Sequence, residues 1–223
     1  MLGPCDQGEW MGLMFVVGAL PRCLGPSWSL YALQLACVLF PHPAPCPKGG
    51  RTCLEFGISA LIFGATLATV LGLGHPRLVE MGGFSPKVEK ENVCLIGIRD
   101  IDDNERKIIR ESGIHAYTMR DVDERGMREI MEEAIEFATN GTAGFHMSFD
   151  LDGMDPRDVP GTGTPVKGGI DWREANLLME MVSDTGKMCS LEVTELNPIL
   201  DVKNQSGEVA VDVICSAFGK RIL

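Results

Sequence analysis

Asp150 and Asp152 are the residues of this chain whose types and spacing first suggest chemistry. They lie in Ser148-Phe149-Asp150-Leu151-Asp152-Gly153-Met154-Asp155-Pro156, and a loop, Gly161-Thr162-Gly163-Thr164-Pro165, follows closely. The run from Gly144 to Phe149 is largely apolar and has the length of a buried strand. In an extended backbone, carboxylates two residues apart leave the same side of the chain. If the strand is parallel, both sit at its carboxyl end, where open α/β sheets bind ligands. Two carboxylates aimed at one point repel each other unless a cation lies between them. A hard divalent ion with oxygen ligands, manganese or magnesium, suits that place. A second reading stays open here: Asp-x-Asp-Gly also opens turns and caps the element that follows.

The elements that must position these residues are legible from Val93 onward. Val93–Ile98 is a continuous apolar run of strand length, and Asp102 or Asp103 caps a helix ending near Gly113. Ala116–Met119 reads as a short strand. Met127, Ile130, Met131, Ala134, Ile135 and Ala138 recur at helical spacing. Beyond the aspartates come a helix over Trp172–Thr185 between Asp171 and Gly186, a strand over Cys189–Val193, and a helix over Gly207–Phe218 stopped by Gly219. Strands alternating with helices indicate right-handed βαβ units around a parallel sheet.

Composition divides the chain in two. Only 6 of the first 57 residues are charged, against 45 of the remaining 166. Residues 1–57 hold five of the eight cysteines and the run Pro41-His42-Pro43-Ala44-Pro45-Cys46-Pro47, and no periodicity there assigns a fold. Residues 58–223 read as the α/β domain. The apolar stretches Met11–Leu20 and Tyr31–Phe40 are too short to span a bilayer. Ile58–Gly74 is uncharged and reads as a buried helix ending at Gly72 or Gly74, so a membrane partner is not expected. A net charge of -11 argues against nucleic acid. Cys94, Cys189 and Cys215 lie in apolar surroundings with no C-x-x-C, which suggests free thiols and a cytoplasmic location.

The blocks SFDLDGMDP (148–156), GTGTPVKGG (161–169) and ELNPILD (195–201) resemble signature blocks of the arginase/agmatinase, or ureohydrolase, family. The similarity continues through GLGHPRLVEMGGFSPKV (72–88), LIGIRDID (95–102), MRDVDERGM (119–127) and the C-terminal segment 204–223, and is greatest to bacterial-type arginases. The resemblance implies a three-layer α/β fold with a central parallel sheet and a dimanganese site at its carboxyl edge. It implies hydrolysis of L-arginine to L-ornithine and urea by a metal-bound hydroxide, and a homo-oligomer, a trimer or hexamer. Position by position, it makes Asp150 and Asp152 metal ligands, with Asp150 also catalytic. It makes Glu195 catalytic as well and sets it facing the guanidinium, with Asp123 at the substrate's α-amino group and Thr164 in the active-site loop, both substrate-binding. His146 matches no ligand position and reads as a structural histidine.

The chain departs from the family before Gly64. An Asp-x-His-x-Asp motif, which supplies further metal ligands in the family, is absent, and the only aspartate before residue 80 is Asp6. Leu61 and Phe63 stand where the family has a substrate-binding Asn and a proton-handling His. The N-terminal strands of the fold are therefore expected to be missing or replaced, as after a shifted reading frame or a fused unrelated segment. Arginine hydrolysis is expected to be impaired. The alternative is an inactive remnant acting only in oligomerisation or interaction.

Overall fold

The computed structural model describes residues 11–16, 67, 69–101 and 103–221, with the backbone alone for 11–16, 104 and 105. The chain divides into two compact units, one of residues 1–19, 88–101 and 109–223, the other of residues 20–87 and 102–108.

Among the described residues, the first unit is built on five parallel strands: β1 (Met11–Val16), β2 (Val93–Ile98), β3 (His115–Thr118), β4 (Gly144–Asp150) and β5 (Met188–Thr194). Their order in the sheet is β3-β2-β1-β4-β5. Helix α1 (Pro76–Val79) lies in the second unit, and α2 (Asp103–Ser112) precedes β3. Then come α3 (Met119–Arg125) and α4 (Met127–Thr139) before β4, α5 (Trp172–Thr185) between β4 and β5, and α6 (Gln205–Ala217) after β5. The expected α/β fold around a parallel sheet is present.

Local chemistry explains the boundaries. Thr118 and Asp121 form a reciprocal capping box at the start of α3, and Asp171 and Glu174 form one at the start of α5. Gly113 and Gly186 follow α2 and α5 with φ of 78° and 61°, values that an L side chain rarely takes. Gly72, at φ 80°, ends the helical hydrogen bonding Leu71 N–H to Leu67 C=O. That matches the expected end of the Ile58–Gly74 helix, whose residues 58–66 and 68 lie outside the described residues.

Alternation along β4 separates its two faces. Phe145, Met147 and Phe149 are fully buried and share one apolar cluster with Ile130, Met131 and Ala134 of α4 and Leu178, Met179 and Val182 of α5. His146, Ser148 and Asp150 point the other way. His146 Nδ1 meets Ser190 Oγ at 2.8 Å, and Ser148 Oγ donates to Glu192 Oε1 at 2.8 Å, so β4 and β5 are also tied through side chains. His146 is partly buried.

Within residues 1–57, where no periodicity assigns a fold, Met11–Val16 forms the middle strand of the described sheet, pairing with β2 from Leu13↔Val93 and with β4 from Met11↔Gly144. The apolar run Met11–Leu20, too short for a bilayer, contains this strand. The central strand of a parallel sheet reads as a continuous apolar run without alternation, and that pattern is easily passed over in a proline- and cysteine-rich segment. The other residues of 1–57 lie outside the described residues.

Met14→Pro would delete a ladder hydrogen bond from the middle of the sheet. It should abolish cooperative unfolding in a urea titration. A variant that melts like the parent would show that β1 does not hold this place.

Candidate functional site

Because β2, β4 and β5 run parallel, Arg99, Asp150 and Glu195 all fall at or just past their carboxyl ends. Asp150 is the last residue of β4. Its Oδ1 accepts a hydrogen bond from the Asp152 N–H at 2.8 Å and caps a 3-10 turn over Leu151–Gly153. The turn reading of Asp-x-Asp-Gly is thus correct for the backbone, and it leaves the second carboxylate free for other work.

Asp152 is 3% exposed. Thr164 donates its hydroxyl to Asp152 Oδ2 through a short hydrogen bond, while the buried Oδ1 has no hydrogen-bond partner. A buried carboxylate oxygen left unpaired is costly. Burial, and then the charge of Asp152, push the Asp150 carboxyl up to about 8; the charge of Glu195 adds to this. Partial desolvation and the charge of Asp152 likewise raise Glu195. Three carboxyl groups therefore bear on one another at this edge.

Glu195 has φ 63°, a left-handed backbone that is uncommon for a residue with a side chain. The segment after it is anchored on both sides. The Asn197 N–H donates to Gly161 C=O at 2.8 Å, and the Gly161 N–H donates to Ser206 Oγ at 2.7 Å. Asp201 accepts from the Ser206 hydroxyl and N–H and from the Gly207 N–H at the start of α6. A side chain at Gly161 would meet Asp201 Cβ at 2.5 Å, so the close approach of the two loops requires a glycine there.

Asp155, read from sequence as a turn-former, does more. It is 3% exposed, accepts from the Arg157 N–H and Nε through Oδ1, and accepts from the Gly168 N–H through Oδ2. Burial alone would raise its carboxyl, but these hydrogen bonds outweigh burial and hold it at about 2. Two backbone bonds, Asp155 N–H to Ile170 C=O and Ile170 N–H to Gly153 C=O, complete the closure of the loop. Arg99, to which the sequence reading gave no role, donates from its guanidinium to carbonyl oxygens of this same loop. Its only sequence signal is a charged residue directly after an apolar strand.

Asp150, Asp152, Thr164 and Glu195 are therefore brought together. Asp123 is exposed on α3, and its charge bears on Glu174 of α5. The partnerless Asp152 oxygen and the mutual repulsion of the carboxylates are features that a hard divalent cation would relieve. Among the described residues, no group of three His, Cys, Asp or Glu side chains could hold a metal ion.

Residues 72–219 match the arginase family. The chain belongs to the arginase family. It is 49% identical over 169 residues to the arginase of Bacillus caldovelox, covering 76% of this chain and 56% of that protein. It is 47% identical over 175 residues to the arginase of Bacillus subtilis strain 168, covering 78% and 59%. The native structure of the Bacillus caldovelox arginase superimposes with a TM-score of 0.67 at 50% identity over 70% of this chain and 52% of that one. An Entamoeba histolytica arginase solved in complex with L-ornithine does so with a TM-score of 0.70 at 27% identity over 97% and 62%. This arginase-family chain spans little more than half the length of the two curated bacterial relatives.

Two outcomes test the site's electrostatics and backbone. Glu195→Gly relieves a left-handed backbone and one of three converging charges, so it should leave stability intact or raise it by up to roughly 1 kcal/mol. Destabilisation in a urea melt would instead make Glu195 a structural anchor. Asp155 has a depressed carboxyl, so its stabilisation is complete above its unfolded value near 3.9 and is lost as pH falls toward about 2. Asp155→Asn should cost roughly 2 kcal/mol at pH 7, and the gap from the parent should close between about pH 4 and pH 2.

Proposed function

We propose that this chain carries part of an arginase-like ureohydrolase site, for hydrolysis of L-arginine to L-ornithine and urea with manganese. The observation that carries the reading is the buried, partnerless Oδ1 of Asp152 beside Asp150 and Glu195, at the carboxyl edge of a sheet in an arginase-family chain. Asp150 and Asp152 would hold the ion, which when bound supplies an activated hydroxide and Lewis acidity. Thr164 fixes Asp152 by donating to its second oxygen, so that Oδ1 alone stays available. The Glu195 carboxylate accepts from a planar guanidinium, and carboxylates suit that cation in geometry and charge. The role that the resemblance gives to Asp123, at the substrate's α-amino group, has the least support from its position on α3.

Two aspartates are an incomplete ligand set. The sequence offers no Asp-x-His-x-Asp motif, and residues 11–20, which include the strand beside β4, contain no aspartate, glutamate or histidine. We expect this chain alone to bind manganese weakly and to turn over arginine poorly. Ile199, Leu200, Val202, Val211 and Phe218 are exposed, which supports association into the homo-oligomer expected of the family. The thiols of Cys94 and Cys215 fit a reducing cytoplasm, and no helix among the described residues is long and apolar enough to cross a membrane.

Urea release from arginine with and without manganese, together with manganese binding followed by electron paramagnetic resonance, tests the reading. The expected result is manganese binding that Asp152→Ala abolishes, with urea release near background. Robust turnover would overturn the expectation of impairment, and manganese binding indifferent to Asp152→Ala would overturn the site.

A further inference from the structure

Arg99 follows the last residue of β2, yet its side chain ends among the loops that follow β4, on the far side of β1 in the strand order. Its Nε donates to Val166 C=O at 3.1 Å. Nη1 donates to Gly153 C=O at 3.3 Å. Nη2 donates to Asp152 C=O at 2.5 Å, to Met154 C=O at 3.2 Å and to Val166 C=O at 2.8 Å. Three successive carbonyls, 152 to 154, thus converge on one cation, and a fourth joins them from the Gly161–Gly169 loop.

Carbonyl oxygens gathered this closely repel one another, and each needs a donor when withdrawn from water. A planar guanidinium with five N–H donors can serve several acceptors lying round one plane, whereas an ammonium with three cannot match that layout. The acceptors are chosen by place. One belongs to Asp152 itself, and Val166 stands two residues beyond Thr164, the donor to the Asp152 carboxylate. A single side chain therefore sets the spacing between the two loops whose side-chain contact orients Asp152.

We infer that Arg99 is a positioning residue of the site, whose guanidinium clamps the 152–154 and 166 carbonyls and so holds Asp152 and Thr164 in the arrangement that receives a divalent cation. The inference rests on Asp150 and Asp152 being the cation-binding pair. It assigns Arg99 no contact with substrate. The clamp works through hydrogen-bond geometry as well as positive charge, so lysine is not an adequate replacement.

The test uses the full chain, Arg99→Ala and Arg99→Lys, with two readouts. Hydrogen exchange at the Asp155 and Ile170 amides reports loop closure without any metal. Manganese titration reports the aspartate pair. In Arg99→Ala the two amides should exchange at least roughly tenfold faster while those of Ile130 and Phe149 keep their protection, and manganese affinity should fall by roughly tenfold or more. Guanidinium at about 20 mM should restore both readouts in Arg99→Ala, whereas the same concentration of sodium should not. Arg99→Lys should resemble the untreated alanine variant, and it carries the comparison if Arg99→Ala does not fold. Unchanged loop exchange, a lysine variant equal to the parent, or rescue by sodium as effective as by guanidinium would overturn the clamp. If the parent chain binds no manganese, the aspartate-pair reading fails, and the exchange rates alone decide for or against the clamp.

Discussion

Asp150 and Asp152 bring two negative charges to the end of a strand whose apolar face is fully buried, and this repulsion constrains everything around it. Water is largely excluded from Asp152, so the charge cannot be left to solvent. The surroundings answer with a hydroxyl from Thr164, a backbone N–H at Asp150, and the Arg99 guanidinium behind the loop. One oxygen of Asp152 remains without a partner even so. Of the four carboxylate oxygens of the pair, Asp150 Oδ1 and Asp152 Oδ2 accept hydrogen bonds from within the protein. What remains unsatisfied marks where an external cation is wanted.

The loops hold this arrangement through a chain of backbone and side-chain anchors rather than through bulk. Asp155 binds the turn after Asp152 to Gly168, and Gly161 joins the aspartate loop to the segment after Glu195. Asp201 and Ser206 then fasten that segment to the first turn of α6. The left-handed backbone at Glu195 persists because both ends of its segment are held.

Much of this was legible in the sequence, for identifiable reasons. Asp150 and Asp152 stand out because period-two spacing at the end of an apolar run has a geometric meaning. The boundaries of α5 were readable because Asp171, Glu174 and Gly186 carry capping chemistry in their own side chains or lack of one. Three features were not legible. β1 carries no alternation and no turn signal of its own. Arg99 acts on main-chain carbonyls, which have no signature in a sequence. Asp155 looks like any aspartate before proline, and only its partner Gly168, distant in the chain, reveals its burial.

The position of β1 has a consequence for how the molecule forms. β2 and β3 are neighbours in sequence and in the sheet, and so are β4 and β5, but the two pairs meet only through a strand from near the start of the chain. Leu13 must find Val93, and Met11 must find Gly144, before the halves of the sheet become one. Pairings so remote in sequence close large loops and come late in folding. Until then Arg99 belongs to one half and Asp152 to the other, so the contact between them can serve as a reporter of the final joining step.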